Sequence, residues 1–285
     1  MESYIIFISI VVIILIGTAL MFREKKNYNQ APKRIWTYYN REDCIPKTVK
    51  MCLRNWAKWN PDYEIVLLTK MNYQGYVTIP SNVTSHPIFD GNPARCSELV
   101  RLWILAERGG IWMDPSVFLK APLEDWIFPK YAEFSGFYRK DWTTNPERPM
   151  IEPWFMACNK GCKLITKWRD AFSELVNYPS LERYIESRKV SVSPLQPMDH
   201  VIQVALQQVF QHEKYPIDSM ILKVAEDGPL RYLVDAKWDS EKAVRAACLN
   251  PQYQTPILKM RGPERSVLEK GIEDEFSEEK CGWIS

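Results

Sequence analysis

Asp114 is the residue with the most to offer chemically, because of where it falls. It follows the apolar run Gly110 to Met113 and precedes Pro115 and Ser116. A carboxylate at the carboxyl end of a strand can hold a hard divalent cation, and that cation can bridge diphosphate oxygens. Such a metal takes up charge developing on a departing nucleotide diphosphate, as a Lewis acid. Asp-Pro also starts turns, so spacing alone leaves a purely structural reading open. Glu98 and Arg101, three residues apart, can meet on one helix face or turn towards a ligand. Asp199 and His200 stand together at the start of a predicted helix, where a carboxylate is electrostatically favoured and an imidazole can serve as base or ligand. Lys259 lies in the short apolar run Ile257 to Met260 and can reach a phosphate.

Asp114 is positioned by the stretch Asn92 to Lys120. Asn92 suits a helix N-cap and Pro93 the first helical position. Leu99, Leu102, Trp103 and Ala106 recur with helical spacing on one face. Gly109 fits the left-handed residue that ends a helix, and Ile111 to Met113 reads as a short buried strand. That strand delivers Asp114 to its carboxyl end, where α/β folds tend to bind ligands.

The flanking chain fits the same architecture. Arg34 to Tyr39 reads as a first strand, a helix opens at Pro46, and Tyr63 to Thr69 reads as a second strand. Strand, helix and strand in that order predict a mixed, mainly parallel sheet flanked by helices. Residues 71–91 read as a loop of weak structure. Glu133 to Tyr138 and Trp154 to Cys158 read as strands, and Arg139 to Pro149 as a mobile loop beside the site. Helices are predicted over 164–175 and 181–189 and from Pro197, and a last short strand over 257–260.

The formal net charge of +2, with no dominant basic block, does not suggest nucleic acid as a partner. Eleven Trp and fourteen Tyr are many for 285 residues. Most are expected in the core, and some can offer faces on which sugar C–H groups pack. Seven Cys without a CxxC pair, and only three His, argue against a zinc site. The odd cysteine count leans towards a reducing compartment, with several cysteines as small core residues.

Tyr4 to Phe22 is uncharged and has about the length of a membrane-crossing helix. With no basic residue in Met1 to Ser3, it reads as an uncleaved anchor rather than a signal peptide. The expected organisation is a short tail over 1–3, an anchor over 4–22, a stalk over 23–31, one catalytic domain over 32–272 and an acidic, solvated tail over 273–285. Arg23, Lys25 and Lys26 behind the span place the body in the cytosol. The sequon Asn82-Val83-Thr84 would suit a lumenal body. The charge flank carries more weight, since such triplets arise often by chance.

Ala94, Ser97, Glu98 and Arg101, followed by Gly109 to Val117, resemble the capsular polysaccharide synthesis family of glycosyltransferases and the wider set of DXD transferases similar to glycosyltransferase family 32. The pattern there is A-x-x-S-D-x-x-R, then G-G-x-Y/W-x-D. Pro32 to Trp36 looks like the family's opening strand, Trp56 with Asn60 to Ile65 like its W-x-x-x-N-P-D-Y-E segment, and Trp154 to Ala157 like a later W-F-x-A strand. Together these cover roughly residues 32–165.

The resemblance implies a GT-A-like single α/β domain, a nucleotide-diphosphate sugar as donor, a glycan as acceptor, and Mn²⁺ or Mg²⁺ as cofactor. Asp114 matches the first DXD aspartate, the expected metal or ribose–diphosphate ligand, and Ser116 stands in place of the second, where the capsular branch often has Thr or Ser. One carboxylate fewer matters for a cation: two unit charges about 4 Å apart interact by on the order of 4 kcal/mol at an effective dielectric near 20. Glu98 and Arg101 match the helix acid and arginine. Trp36 and Tyr38 lie on the strand where such folds place base-contacting groups, with core packing as the equal alternative. Gly110 belongs to the motif and chiefly serves the backbone. Asp199 and His200 are candidates for completing a metal site or facing the acceptor, and Lys259 for the phosphates. Asp141, Glu147 and Glu152 flank the predicted loop, where an inverting transferase needs a base for the acceptor hydroxyl.

The function expected is that of a membrane-anchored hexosyl- or pentosyltransferase in polysaccharide or glycoprotein glycan synthesis. The alternative is a tethered glycan- or nucleotide-binding protein with a decayed site, to which Ser116 lends support. A metal-dependent phosphatase or nuclease would need more clustered carboxylates and His than the chain supplies.

Overall fold

The computed structural model describes residues 31–125, 127, 132–249, 255–271, 276 and 281. The predicted anchor over 4–22, the stalk up to residue 30 and most of 273–285 lie outside them. Among the described residues no helix is long and apolar enough to cross a membrane.

The first half runs β1 (Arg34–Tyr38), α1 (Lys47–Trp59), β2 (Glu64–Leu68), α2 (Pro93–Arg108), β3 (Gly110–Met113), β4 (Val117–Leu119), β5 (Phe134–Tyr138) and β6 (Ile151–Cys158). The second half runs α3 (Lys163–Ser173), α4 (Leu181–Arg188), α5 (Val201–Gln211), β7 (Met220–Val224), α6 (Arg231–Asp235), α7 (Ser240–Leu249), β8 (Ile257–Lys259) and α8 (Gly262–Gly271). The main sheet has the order β2-β1-β3-β6-β5-β7. β6 is antiparallel to both neighbours and every other pairing is parallel, so the sheet is mixed and mainly parallel. A second, two-stranded sheet pairs β4 with β8.

Alternation along the strands sorts side chains onto two cores. Trp36, Trp112 and Met156 face a core built with α2, α3, α4 and α5. Ile35, Ile111, Met113 and Ala157 face the other, built with α1, α6, α7, α8 and the small sheet. Helices therefore cover both faces.

α2 is capped as its sequence requires: Asn92 Oδ1 accepts from the Ala94 and Arg95 amides, each at 3.1 Å, and Pro93 takes the first turn. More than one stripe of it is buried, Val100, Ile104 and Leu105 joining Leu99, Leu102 and Ala106. Gly109 ends it with φ 65° and ψ −163°. That is not the left-handed helical conformation the sequence suggested but a region open essentially to glycine alone. A Cβ there would stand 2.5 Å from the Lys160 amide nitrogen.

The structure departs from the sequence reading in several places. β6 begins at Ile151, three residues earlier than expected. Pro197 opens a turn, and α5 starts only at Val201. Residues 71–91 hold the short helices Ser81–Thr84 and Pro87–Asp90, with Asn82 exposed. In the stretch expected to be a solvated tail, Phe276 and Cys281 are both buried. Cys281 forms a disulfide with Cys248 of α7, so these two cysteines are not simple core thiols.

Candidate active site

Asp114 continues the β3–β6 ladder by one bond, its amide donating to the Trp154 carbonyl at 2.9 Å. Beyond it the chain turns, and the Ser116 and Val117 amides both donate to the Asp114 carbonyl. β4 then runs into the small sheet, where α1 grips it. Trp56 Nε1 donates to the Val117 carbonyl at 2.8 Å, and Asn55 pairs with both the amide and the carbonyl of Leu119. The register Val117 opposite Lys259 sets the ammonium beside the motif.

Three groups converge on the Asp114 carboxylate. Trp112 Nε1 donates to Oδ1 at 3.0 Å. The Arg101 Nη2 lies 3.3 Å from the same oxygen. Lys259 Nζ donates to Oδ2 at 3.1 Å and to Ser116 Oγ at 2.7 Å. Burial would push the Asp114 carboxyl up, but the Lys259 and Arg101 charges outweigh it and hold it below the usual carboxylate range. Arg101 is fixed in turn: Nη1 donates to the Pro153 carbonyl at 2.6 Å, and the guanidinium lies 4.9 Å from the Trp112 ring centre. Its partner is Asp114; Glu98, the partner that helical spacing offered, is not within ion-pair distance. The half-buried Glu98 carboxyl is pushed by burial to about 7, against the pull of Arg101 and Arg95.

A second group of charges sits next to the first. β5 and β6 slip register between Gly136 and Phe137, bringing Phe137 opposite Glu152. Such bulges re-aim side chains at strand ends. The buried Glu152 carboxyl is pushed up to about 7 by burial, against Arg139 and Lys259 and with Glu226 and Asp114 adding to the rise. Arg139 Nη1 lies 3.8 Å from it. Arg139 also donates to Asp141 and Glu226, and its guanidinium lies 4.0 Å from the Trp142 ring centre and 4.9 Å from that of Trp238. The segment after β5, expected as a polar mobile loop, is thus tied down at its first residue by a buried arginine. His200 meets Trp142 edge to face at 5.4 Å, and burial lowers its pKa.

The predicted site residues divide accordingly. Asp114, Ser116, Arg101 and Lys259 come together, with Glu98 and Glu152 close by. Trp36 does not join them: it is buried in the α2 core, its Nε1 donating to the Gly109 carbonyl at 2.8 Å, so core packing is the reading the structure supports. Tyr38 reaches the right edge of the sheet but is buried, its hydroxyl bonded to Asn40 at 3.0 Å. Gly110 opens β3 at the end opposite Asp114, where a Cβ would stand 2.8 Å from the Arg34 carbonyl oxygen. It serves close packing rather than a ligand. Asp199 is exposed, and neither it nor His200 contacts Asp114; His200 belongs to the rim with Trp142. Sequence reasoning missed Trp112 and Arg139 as site-forming residues. The Trp112–Asp114 alternation, two residues apart on one strand face, could have found the first.

The expected Mn²⁺ or Mg²⁺ does not fit this arrangement. Both Asp114 oxygens already face cations, and the space between Asp114 and Ser116 is spanned by an ammonium. Among the described residues no group of three or more His, Cys, Asp or Glu is placed to hold a metal. A divalent ion about 4 Å from Lys259 would meet repulsion of roughly 8 kcal/mol at an effective dielectric near 20.

Residues 18–246 match the family described as capsular polysaccharide synthesis protein. Among curated proteins, O-glycosyltransferase braB of Annulohypoxylon truncatum is 27% identical over 159 residues, which is 50% of this chain and 37% of that protein. Subversion of eukaryotic traffic protein A of Legionella pneumophila is 25% identical over 154 residues, 46% of this chain and 23% of that protein. The chain thus spans little more than a third of the length of the first and less of the second. Among solved structures, the PaToxG glycosyltransferase superposes with a TM-score of 0.48 at 17% identity, covering 92% of this chain and 94% of that one.

Proposed function

The chain belongs to the capsular polysaccharide synthesis protein family, and from that premise we propose that it is a glycosyltransferase. In this reading it moves a hexose or pentose from a nucleotide-diphosphate sugar to a glycan acceptor. The observation that carries the reading is the Asp114 carboxylate at the carboxyl end of β3, held between Arg101 and Lys259 with Ser116 beside it. This is a cationic seat of the kind a diphosphate requires. Lys259 and Arg101 bind the diphosphate, and Asp114 orients both. The bond from the anomeric carbon to the diphosphate oxygen breaks, and the acceptor oxygen forms the new one. Glu152 receives the acceptor proton in this scheme, since a carboxyl pushed up to about 7 is matched to proton transfer near neutrality. Trp142 and Trp238, both partly exposed and packed on Arg139, are the aromatic rings near Glu152 assigned in this scheme to sugar contact.

The test is sugar release or transfer over a panel of UDP- and GDP-sugars. Asp114→Ala is expected to lose at least about 100-fold in kcat/KM, as when a group that organises the transition-state charge is removed. Full activity of the variant would refute the assignment. The second reading, a tethered protein with a decayed site, has Ser116 in its favour; it gains if no UDP or GDP nucleotide binds.

We further propose that residues 32–272 form the catalytic domain and that Tyr4 to Phe22 anchors it. The charge flank favours a cytosolic body. The Cys248–Cys281 disulfide and the exposed sequon at Asn82 favour a lumenal one, since disulfides persist in oxidising compartments. We take the second orientation. A mobility shift of the expressed protein on endoglycosidase treatment, abolished by Asn82→Gln, would support it, and accessibility of the body to protease on intact microsomes would contradict it.

A further inference from the structure

Resting on the transferase reading, we infer that Lys259 performs the task a divalent cation has in DXD transferases, so that this protein binds the diphosphate of its donor without metal. The ammonium sits between the two residues that occupy the motif's metal-binding positions, 3.1 Å from Asp114 Oδ2 and 2.7 Å from Ser116 Oγ. Its location is set by the backbone. The Lys259 amide donates to the Pro229 carbonyl at 3.1 Å, and its own carbonyl accepts from the Tyr232 hydroxyl at 2.7 Å. On the other side of the turn the Met260 amide donates to the Ser116 carbonyl at 2.9 Å, locking lysine and serine in register. Lys259 is nearly buried, so the charge acts where water screens it little.

The donor set agrees. An ammonium has three N–H donors; Asp114 and Ser116 take two, the Trp154 ring centre lies 5.6 Å from the nitrogen, and the third donor is assigned to a diphosphate oxygen. A serine hydroxyl is a good partner for an ammonium, whereas towards a divalent cation it brings none of the charge an aspartate would. Arg101 supplies a second positive charge on the other carboxylate oxygen. Lys259 against one carboxylate gives the local charge balance that a divalent cation gives against two, and Arg101 adds a further positive charge. A metal entering here would have to displace Lys259 from both contacts.

The decisive measurement needs no variant. UDP and GDP binding to the wild-type chain is measured by calorimetry in EDTA and again with Mn²⁺ or Mg²⁺. The expected result is affinity within about threefold across these buffers, and a Mn²⁺ electron paramagnetic resonance signal unaffected by adding protein to Mn²⁺. Lys259→Met, with its fold checked by circular dichroism, is expected to weaken binding in EDTA by roughly 30-fold or more, since it removes one partner of a buried charge pair. Nucleotide binding that is lost in EDTA and restored by Mn²⁺ would overturn this inference while leaving the transferase reading intact. Binding by folded Lys259→Met as tight as wild type would do the same. If neither nucleotide binds wild type in any buffer, the transferase reading fails and this inference fails with it.

Discussion

Glu152→Gln separates one buried carboxyl from the charges around it, and its effect can be worked out beforehand. In the folded chain Glu152 is pushed up to about 7 from an ordinary value of 4.5, by burial first and with Glu226 and Asp114 adding to the rise. Arg139 and Lys259 pull the other way and do not win. Between those two values the folded state holds the proton more tightly than the unfolded one, so stability falls as pH rises. The full fall is about 3 kcal/mol, from about 1.4 kcal/mol for each unit of difference. It is complete above about pH 7, and the stability is fully present below about pH 4.5. Glu98, also pushed to about 7, adds a fall of the same sign. Asp114 lies outside the window: its carboxyl is held below the usual range, and the stability it confers is lost only in stronger acid.

The assay is urea denaturation of wild type and Glu152→Gln at about pH 5 and about pH 8. Wild type should lose more stability between the two, by about 2.5 kcal/mol because a little of the fall already lies below about pH 5, and the difference between the proteins cancels the Glu98 contribution. At the higher pH the variant should be the more stable protein. Arg139 keeps Asp141 and Glu226 as partners, so the substitution strands no cation. Activity reads the same proton with the opposite sign. If Glu152 takes the acceptor proton, kcat/KM rises through about pH 7 and the variant loses that limb. Equal stability losses in the two proteins would refute the account of Glu152 as a carboxyl held neutral by burial.

Gly109→Ala should cost at least about 2 kcal/mol, because φ is 65° and the added methyl meets the Lys160 and Asn159 backbone at 2.5 and 2.7 Å. Gly161→Ala, at φ 75° with nothing within 4 Å of the added methyl, should cost only about 1 kcal/mol; thermal denaturation of both compares them. Asn55→Leu should cost roughly 2 to 5 kcal/mol in chemical denaturation, since it leaves the Leu119 amide and carbonyl without their buried partner. Cys248→Ser should lower stability by roughly 3 to 4 kcal/mol, the loop closed by the disulfide being of moderate length, and dithiothreitol should lower wild type but not the variant.

What the sequence disclosed of this molecule is its local physics. The N-cap at Asn92, the glycine stop at Gly109 and the apolar run before Asp114 are each decided within a few residues, and all three are present. β4 is three residues long and β7 is only half-buried, so neither leaves a periodic trace. Arg101 was read against Glu98 because helical spacing offers that pair. The fold instead brings Asp114 to it through β3 and the Pro153 carbonyl through β6, contacts that spacing cannot reveal. Arg139 looked like the first residue of a polar loop. Burial among Glu152, Asp141 and Glu226 makes it the anchor of that loop. The cysteine count could not show that Cys248 and Cys281 meet, since parity says nothing of pairing.

Ser116 and Lys259 are best understood as one unit rather than two separate features. A motif with two aspartates and a divalent cation is locally neutral. Asp114, Ser116 and the Lys259 ammonium are locally neutral as well. Replacing the second aspartate by serine alone would weaken a metal site and leave nothing in its stead. A lysine alone, set against two aspartates and a metal, would crowd the site with positive charge. The β4–β8 pairing couples them, because the strand that begins just after Ser116 is the one whose register fixes Lys259. It follows that the single substitutions Ser116→Asp and Lys259→Met should each unbalance the seat, the first towards negative charge and the second by stranding Asp114 with Arg101 alone. The double substitution restores two carboxylates and a vacancy between them. It should bind nucleotide in a metal-dependent way, and a double variant indifferent to Mn²⁺ would show that charge balance is not what holds the pair together.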